Sequence, residues 1–367
     1  MAERLAFILG KDPALSHGGD MTMFRTMRAI AEEEFDTEII CLSEDPTRTD
    51  PDVVRVRKPP LSLPALAFRS LVQRRSLVHT RFDVDGLVHA IEQSTASRFV
   101  ALHCHLAESY LRTPGARPGE HLLVSTEILE SKVWPLTHGF AGRLEARRLR
   151  RDERRIVQTA RAVAGYDRDD MATFRAEGID AHWLPLTLPP APPVDVAATP
   201  PHIVMLGNRT WRPNAEAADT MVRLWPRIAA GIPDAELYLV GQQRDGPALD
   251  LPAGVRDLGL VGNVDDVLAR GRVLTAPVTV GGGVRVKLLE AAARGIPVVC
   301  STEAVGSIEA AIGMAPAADE DDFVARCRAF LLDADLAASE GSRLHEINAR
   351  RWSDRVPQDA VLGWLGA

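Results

Sequence analysis

The stretch TAPVTVGGGVRVKLLEAAARGIPVV, residues 275–299, decides the fold. Its apolar opening completes a run from Val273 to Ala276 that reads as a buried strand ending near Pro277. Gly281, Gly282 and Gly283 follow, and a helix begins that carries Arg285, Lys287, Leu289 and Glu290. Val298–Cys300 reads as the next strand. Strand, glycine turn, helix and strand make the repeating unit of a parallel sheet. Glycine lets backbone approach a ligand closely. A helix start offers free N–H groups and partial positive charge, so it attracts phosphate. Arg285 and Lys287 are unfavourable there on dipole grounds alone, and an anionic ligand resolves the conflict. Glu290, one turn after Lys287, is placed to accept hydrogen bonds from ribose hydroxyls.

Outward from this stretch the same rhythm recurs. Leu5–Leu9, Glu38–Leu42, Val53–Arg57, Phe99–Leu102, Leu122–Ser125 and Val163–Tyr166 read as strands, and Met21 to about Glu34 as a helix. A second series, Ile203–Leu206, Leu237–Val240 and Val255–Leu260, precedes the quoted segment. Between the series lies LPLTLPPAPPVDVAATPP, residues 184–201, whose prolines deny backbone donors and stiffen the chain. It reads as a linker and not as a core element. The expected organisation is a first α/β domain over 1–190, the linker, a second over 201–350, and a C-terminal helix over 351–367 that returns to the first. At 367 residues, with 46% hydrophobic and 25% charged, the chain has the make-up of a two-domain globular protein. The net charge of −7 argues against a generic nucleic-acid coat, which needs a positive footprint. Cys41, Cys104, Cys300 and Cys327 show no CxxC spacing and read as buried thiols of a reducing cytosol. The short apolar run in MAERLAFILG is too brief for a signal peptide, and no stretch is long enough to span a membrane.

The segment GGGVRVKLLEAAARGIPVV resembles, position by position, a donor motif GxGxRxKxLEAxAxGxPVV found in one branch of the family 4 retaining glycosyltransferases. GNRTWRPNAEAADTMV (207–222), PDAELYLVG (233–241), GLVGNVDDVLARGRVLTAPV (259–278) and TEAVGSIE (302–309) resemble flanking units of that branch. The resemblance covers 201–310 well and the first half weakly. It implies the GT-B fold: two Rossmann-like α/β domains facing each other across a cleft, with a nucleotide-sugar donor, UDP- or GDP-linked, on the second. Gly281–Gly283, Arg285, Lys287, Leu289, Glu290, Arg209 and Val264 are the expected donor residues, with Arg285 and Lys287 on the diphosphate and Arg209, or as the second choice Arg212, a further phosphate ligand. No metal or other cofactor is expected, because these cations neutralise the pyrophosphate. The wider family carries a Glu-x7-Glu pair; here the first position is Gly282.

The first half supplies the acceptor side of the same resemblance. His17-Gly18-Gly19 resembles the family's glycine-rich acceptor loop. In LHCHLAESY (102–110), His105 maps onto the second histidine of an H-x-H, beside the reacting sugar. His105 and Gly19 are therefore the expected catalytic positions, and His17, Gly18, Arg69 and Arg74 the acceptor-side ones. His103 and His105 lack a further His/Cys cluster, which argues against zinc. The Asp83–Val84–Asp85 triplet could chelate a metal, but its place before a helix expected over Gly86–Glu92 favours helix capping.

Residues 54–81 hold Arg55, Arg57, Lys58, Arg69, Arg74, Arg75 and Arg81 with no acid, and Leu63, Ala67 and Leu71 line one helical face beside Phe68 and Val72. Such a helix can lie on an anionic membrane. Residues 142–161 carry eight arginines against Glu145, Asp152 and Glu153. Solvated i,i+4 pairs are the competing explanation. The expected activity is sugar transfer from a nucleotide diphosphate donor to a hydroxyl acceptor on a glycan, glycolipid or small metabolite. The expected setting is cytoplasmic and peripheral on the inner membrane face. A nucleotide-sugar epimerase or phosphorylase, and a non-catalytic sugar-nucleotide-binding subunit, are the alternatives.

Overall fold

The computed structural model describes residues 3–16, 18–244, 250–280 and 285–367. The chain divides into two units. The first contains residues 1–185 and 357–367, and the second 186–281 and 285–356.

The first unit is built on a seven-stranded parallel sheet. Its strands are β1 (Glu3–Leu9), β2 (Phe35–Ser43), β3 (Val53–Arg57), β4 (Arg98–Ala101), β5 (Leu122–Thr126), β6 (Ala162–Gly165) and β7 (Ala181–Trp183). Their order is β3-β2-β1-β4-β5-β6-β7. Ile8 pairs with Ile40 on one side and Ala101 on the other. Leu5 to Leu9 are all at most 1% exposed, because helices cover both faces of the sheet. That explains the unbroken apolar run. Ile8, Ile40, Leu87, Ala101, Val124, Ile156 and Val163 share one core cluster. The first helix spans Gly19–Ala31 and buries Met23, Met27 and Ile30, the spacing read from the sequence. Strand β7 had no counterpart in the sequence reading, since three residues of AHW carry no pattern.

The second unit has β8 (His202–Leu206), β9 (Glu236–Val240), β10 (Val255–Gly259), β11 (Val273–Ala276) and β12 (Val298–Cys300), ordered β10-β9-β8-β11-β12. All its recorded pairings are parallel. In each unit the order reverses once, at β1/β4 and at β8/β11. The helices that follow those paired strands leave to opposite faces, which opens a crevice at the strands' carboxyl ends.

The proline-rich stretch is corrected by the structure. Leu186, Thr187, Leu188 and Val196 are buried, and Leu184 with them. Ala191 N donates to Ala293 O at 3.0 Å and Val194 N to Arg294 O at 2.8 Å. Asn348 Nδ2 donates to Leu188 O at 2.9 Å. The prolines lack donors, but the residues between them supply both apolar side chains and N–H groups, so from Leu186 onward the segment packs as part of the second unit. The helix Ala334–Ser353 stays with that unit. The following helix, Val356–Leu365, belongs from Pro357 onward to the first, where Arg98 and Arg161 donate to the carbonyls of Leu365 and Ala367. All four cysteines are buried free thiols.

Candidate functional site

In the second unit the reversal at β8/β11 brings two loops together. From β8 the chain passes through Gly207, Asn208 and Arg209 into the helix Arg212–Ala229. From β11 it passes through the glycine run into the helix Val286–Ala293. Gly281, Gly282 and Gly283 lie outside the described residues. Arg285 is the N-cap residue of that helix. Its guanidinium lies against Gly306: a Cβ there would come within 2.8 Å of Arg285 Nη2, at a φ of +47° that disfavours side chains.

Lys287 Nζ donates to Asn214 Oδ1 at 3.1 Å. Asn214 Nδ2 donates in turn to Asn208 O at 2.9 Å. Gly207 makes room for this amide, since a Cβ would sit 2.8 Å from Asn214 Cγ. Burial pushes the Lys287 ammonium down to about 8, Arg285 pushes the same way, and Glu290 opposes. Burial raises the Glu290 carboxyl; Arg294 and Lys287 pull it back, while Asp265 adds to the rise. Val264 is an exposed first residue of the helix Val264–Leu268, beside the Asp265 that pairs with Arg294 at 2.6 Å. The arrangement gathers two cations, a carboxyl and an exposed apolar side chain near the carboxyl end of one parallel sheet. That set can neutralise a diphosphate, hydrogen-bond a ribose and cover a base.

Two expected donor residues are corrected. Leu289 is 1% exposed and faces the core, as its place in an amphipathic helix requires, so its side chain is packing. Arg209 is 4% exposed and held bidentately by Asp257, Nη1 to Oδ2 at 2.7 Å and Nη2 to Oδ1 at 2.6 Å. Nη2 also donates to Gly241 O at 3.0 Å. Its terminal nitrogens are committed to the ends of β9 and β10, which fixes the loop that carries Asn208.

In the first unit the reversal at β1/β4 places the residues after β1, β4, β5 and β6 near one another. His103 precedes the turn Cys104–Leu106, and its Nε2 lies 3.5 Å from Glu127 Oε2. The His103 ring stacks on His105 at 5.0 Å between centroids, and Phe82 covers His105 at 4.3 Å. Burial, with His103 and His79, pushes His105 well below the usual histidine range, so its ring is neutral at pH 7. Gly19 begins the first helix, and Gly18 precedes it at φ +128°. His17 lies outside the described residues. Lys11 pairs with Asp20 at 2.6 Å, and both charges act on His103 and Glu127. The structure thus brings His105 and the start of the Gly19 helix into one neighbourhood. It adds Glu127 and Tyr166, which the sequence reading missed. Their one signal was position, a polar side chain directly after an apolar strand.

Arg69 lies in the last turn of the helix Leu63–Val72 instead, and Arg74 just after it. Arg69 Nη2 donates to Asp83 O at 3.1 Å, Arg74 is exposed, and neither hydrogen-bonds to His103, His105 or Glu127. Asp83 does not cap the helix that follows it. The N-cap of the helix Asp85–Gln93 is Val84, without a side-chain cap bond. Asp83 is buried and takes Arg112 at 2.5 Å and Arg75 at 2.9 Å. Both basic segments are partly structural. Arg55 pairs with buried Asp12 at 2.6 Å, and Arg148 donates to Ser70 Oγ at 2.7 Å. Ser70 is the buried residue of the helix Leu63–Val72. Its apolar residues face outward: Leu63 and Phe68 are 69% exposed, Leu71 70% and Val72 67%. Among the described residues no helix is long and apolar enough to cross a membrane. No group of three His, Cys, Asp or Glu side chains gathers as a metal site among them.

Two doubly wound parallel units, one carrying a cationic helix start at its reversal point, are the architecture of GT-B glycosyltransferases. Residues 200–333 match the family model described as glycosyl transferases group 1. No curated protein matches the sequence. Among solved structures the chain is similar to sucrose-phosphate synthase from Thermosynechococcus elongatus, with TM-score 0.71 and 16% identity over 98% of each chain. It is similar to WaaG, a glycosyltransferase involved in lipopolysaccharide biosynthesis, with TM-score 0.66 and 14% identity over 99% of this chain and 100% of that one. It is also similar to Anabaena HepE in complex with UDP and glucose, with TM-score 0.63 and 14% identity over 99% of both. The chain has the GT-B fold, and residues 200–333, in its second unit, carry a glycosyl transferases group 1 domain.

Proposed function

We propose that the protein transfers a hexosyl group from a UDP-sugar to a hydroxyl acceptor, with retention of configuration and without a bound metal. The observation that carries this reading is the Arg285–Lys287 pair at the start of the helix Val286–Ala293, with Lys287 held by Asn214. Positive charge fixed in place stabilises a diphosphate leaving group, because no reorganisation is needed as the sugar–phosphate bond breaks. Glu290 takes the ribose hydroxyls, and Val264 packs on the base. The leaving β-phosphate oxygen accepts the proton from the acceptor hydroxyl, so a side-chain base is not needed. His105, neutral by burial, offers its ring nitrogens to a sugar hydroxyl on the first unit. UDP is favoured over GDP because HepE is recorded with UDP and glucose.

Titration calorimetry with UDP, GDP and dTDP, in buffer containing EDTA, tests the donor reading. UDP is expected to bind best, and Lys287→Ala to weaken it at least tenfold, the loss of one charge-assisted contact. Equal binding by the variant overturns the role of Lys287. Conversion of donor alone into an isomeric nucleotide sugar, without acceptor, favours the epimerase instead. Binding without transfer or conversion favours a non-catalytic subunit, the alternative raised by Gly282.

The acceptor side is proposed to work on the cytoplasmic face of a membrane. Exposed Leu63, Phe68, Leu71 and Val72 form the apolar contact. Exposed Phe140 and Leu144 lie on the helix Gly139–Thr159, which Arg148 ties to Ser70. Exposed Arg74, Arg143, Arg147 and Arg150 supply the attraction to anionic headgroups.

A further inference from the structure

The described polar groups after β4, β5 and β6 are satisfied less well than buried groups ordinarily are. His103 Nδ1 is buried and makes no hydrogen bond, and the buried hydroxyls of Tyr166 and Ser125 have at most each other as a partner. Glu127 is 8% exposed, and its recorded partner, His103 Nε2 at 3.5 Å, is beyond an ordinary hydrogen bond. Each such orphan costs about 1–3 kcal/mol, so a cluster of them at one spot calls for a partner outside the chain. The topology explains why they meet. Thr126 pairs with Gly165, which sets Glu127 beside Tyr166 at the ends of adjacent strands. Ile8 pairs with Ala101, which sets the loop after β1 beside His103. This is the carboxyl edge of a doubly wound sheet next to its reversal point, where such sheets bind ligands.

We infer that Glu127, Tyr166 and His103 form the binding site for an uncharged, hydroxyl-rich ring, the sugar that accepts the transferred group. The inference rests on the glycosyltransferase reading and names the substrate class of its acceptor side. Hydroxyls suit these groups because each can donate and accept. His103, stacked on His105 with Phe82 tilted against that ring, offers an aromatic wall for the apolar face of a sugar. The site carries no spare positive charge among the described residues. Burial pushes the Glu127 carboxyl above its usual range and His103 down to about 4, so neither supplies a cation near pH 7. Lys11, the nearby cation, is already paired with Asp20 at 2.6 Å. A phosphorylated sugar would find no free cation there to replace its hydration. Membrane docking through the helix Leu63–Val72 is compatible with this, since a neutral sugar can be carried on an anionic lipid.

Saturation-transfer NMR on the full-length protein with UDP present provides the test. The probes are methyl glycosides of glucose, galactose and mannose, and the 6-phosphates of the same sugars. At least one neutral glycoside is expected to bind more tightly than its 6-phosphate. Tyr166→Phe is expected to weaken it by roughly threefold to tenfold, the loss of one hydrogen bond. Glu127→Ala is expected to weaken it further, and Glu127→Gln, a neutral amide of the same shape, to retain most of it. UDP affinity stays unchanged in all three variants. If no neutral glycoside binds, if the 6-phosphates bind more tightly, or if Tyr166→Phe leaves binding unchanged, the inference is overturned. Should Glu127→Ala lose its fold, Tyr166→Phe and Glu127→Gln decide the matter. Wild-type protein that binds the glycoside but not UDP would leave this site standing and remove the donor reading instead.

Discussion

Lys287 is aimed by Asn214. The 3.1 Å hydrogen bond from Lys287 Nζ to Asn214 Oδ1 joins the helix after β11 to the helix after β8. Asn214 is itself fixed by its bond to Asn208 O and by the space that Gly207 leaves. A hydrogen bond to a charged group contributes about 1.5–3 kcal/mol. Asn214→Ala is therefore expected to raise the Kd for UDP by about tenfold or more by calorimetry, with little change in melting temperature. An unchanged Kd would show that Lys287 needs no partner to find the diphosphate.

The same lysine sets a pH dependence. Burial holds Lys287 at about 8 instead of its usual 10.5. Below pH 8 the ammonium is charged in the free protein, and UDP binds without proton uptake. Above pH 8 binding must draw a proton onto Lys287, because the diphosphate raises its pKa. UDP affinity should therefore fall as pH rises from 8, by up to about tenfold per unit. Lys287→Arg, which stays protonated throughout, should flatten that limb. A wild-type profile flat between pH 7 and 9.5 would contradict a titrating Lys287.

Much of this was legible in the sequence because strand patterning and glycine placement are local. The run Leu5–Leu9 and the motif from Arg285 to Glu290 needed no tertiary information. Arg209 was misread because its partner Asp257 lies on another strand, and no spacing rule links the two. Asp83 looked like a cap or a chelator until Arg75 and Arg112 filled its carboxylate. Leu289 was included as part of a contiguous motif, although helical periodicity turns it inward. Glu127, Tyr166 and Asn214 were missed for one reason: each matters through a neighbour distant in sequence. The prolines at 184–201 signalled stiffness correctly, but burial of Leu186 and Leu188 depends on the second unit they meet.

Glu108 gives a prediction about stability. It is fully buried, with His79 Nδ1 at 2.7 Å, Arg75 Nη1 at 3.2 Å and Arg155 also bonded. Burial alone would raise its carboxyl, but His79, Arg155 and Arg75 prevail and hold it below 4.5. Its stabilising contribution is thus complete above the unfolded value and is lost as pH falls through the lower folded one. Glu108→Ala leaves Arg75 and Arg155 facing a void and should cost about 3–5 kcal/mol in chemical denaturation. Glu108→Gln should lose less and should show a shallower decline in stability below pH 4.5. An Ala variant as stable as wild type would mean that the arginines find other partners.

The helix Leu63–Val72 separates surface binding from folding with unusual clarity. Phe68 and Leu71 are about as exposed as they can be on a helix, so the fold gains nothing from their apolar character. Ser70, on the inward side, holds the helix through Arg148 and the carbonyl of Arg75. Replacing Phe68 and Leu71 with serine should leave the melting temperature unchanged. On vesicles of phosphatidylcholine with phosphatidylglycerol, the same double variant should bind on the order of a hundredfold more weakly. That follows from about 1.5 kcal/mol of lost transfer energy for each side chain. Wild-type binding should weaken as salt rises, because the exposed arginines act through a screened field. Vesicle flotation that is equal for wild type and variant would sink the membrane reading, since the apolar face is what distinguishes docking from simple charge attraction.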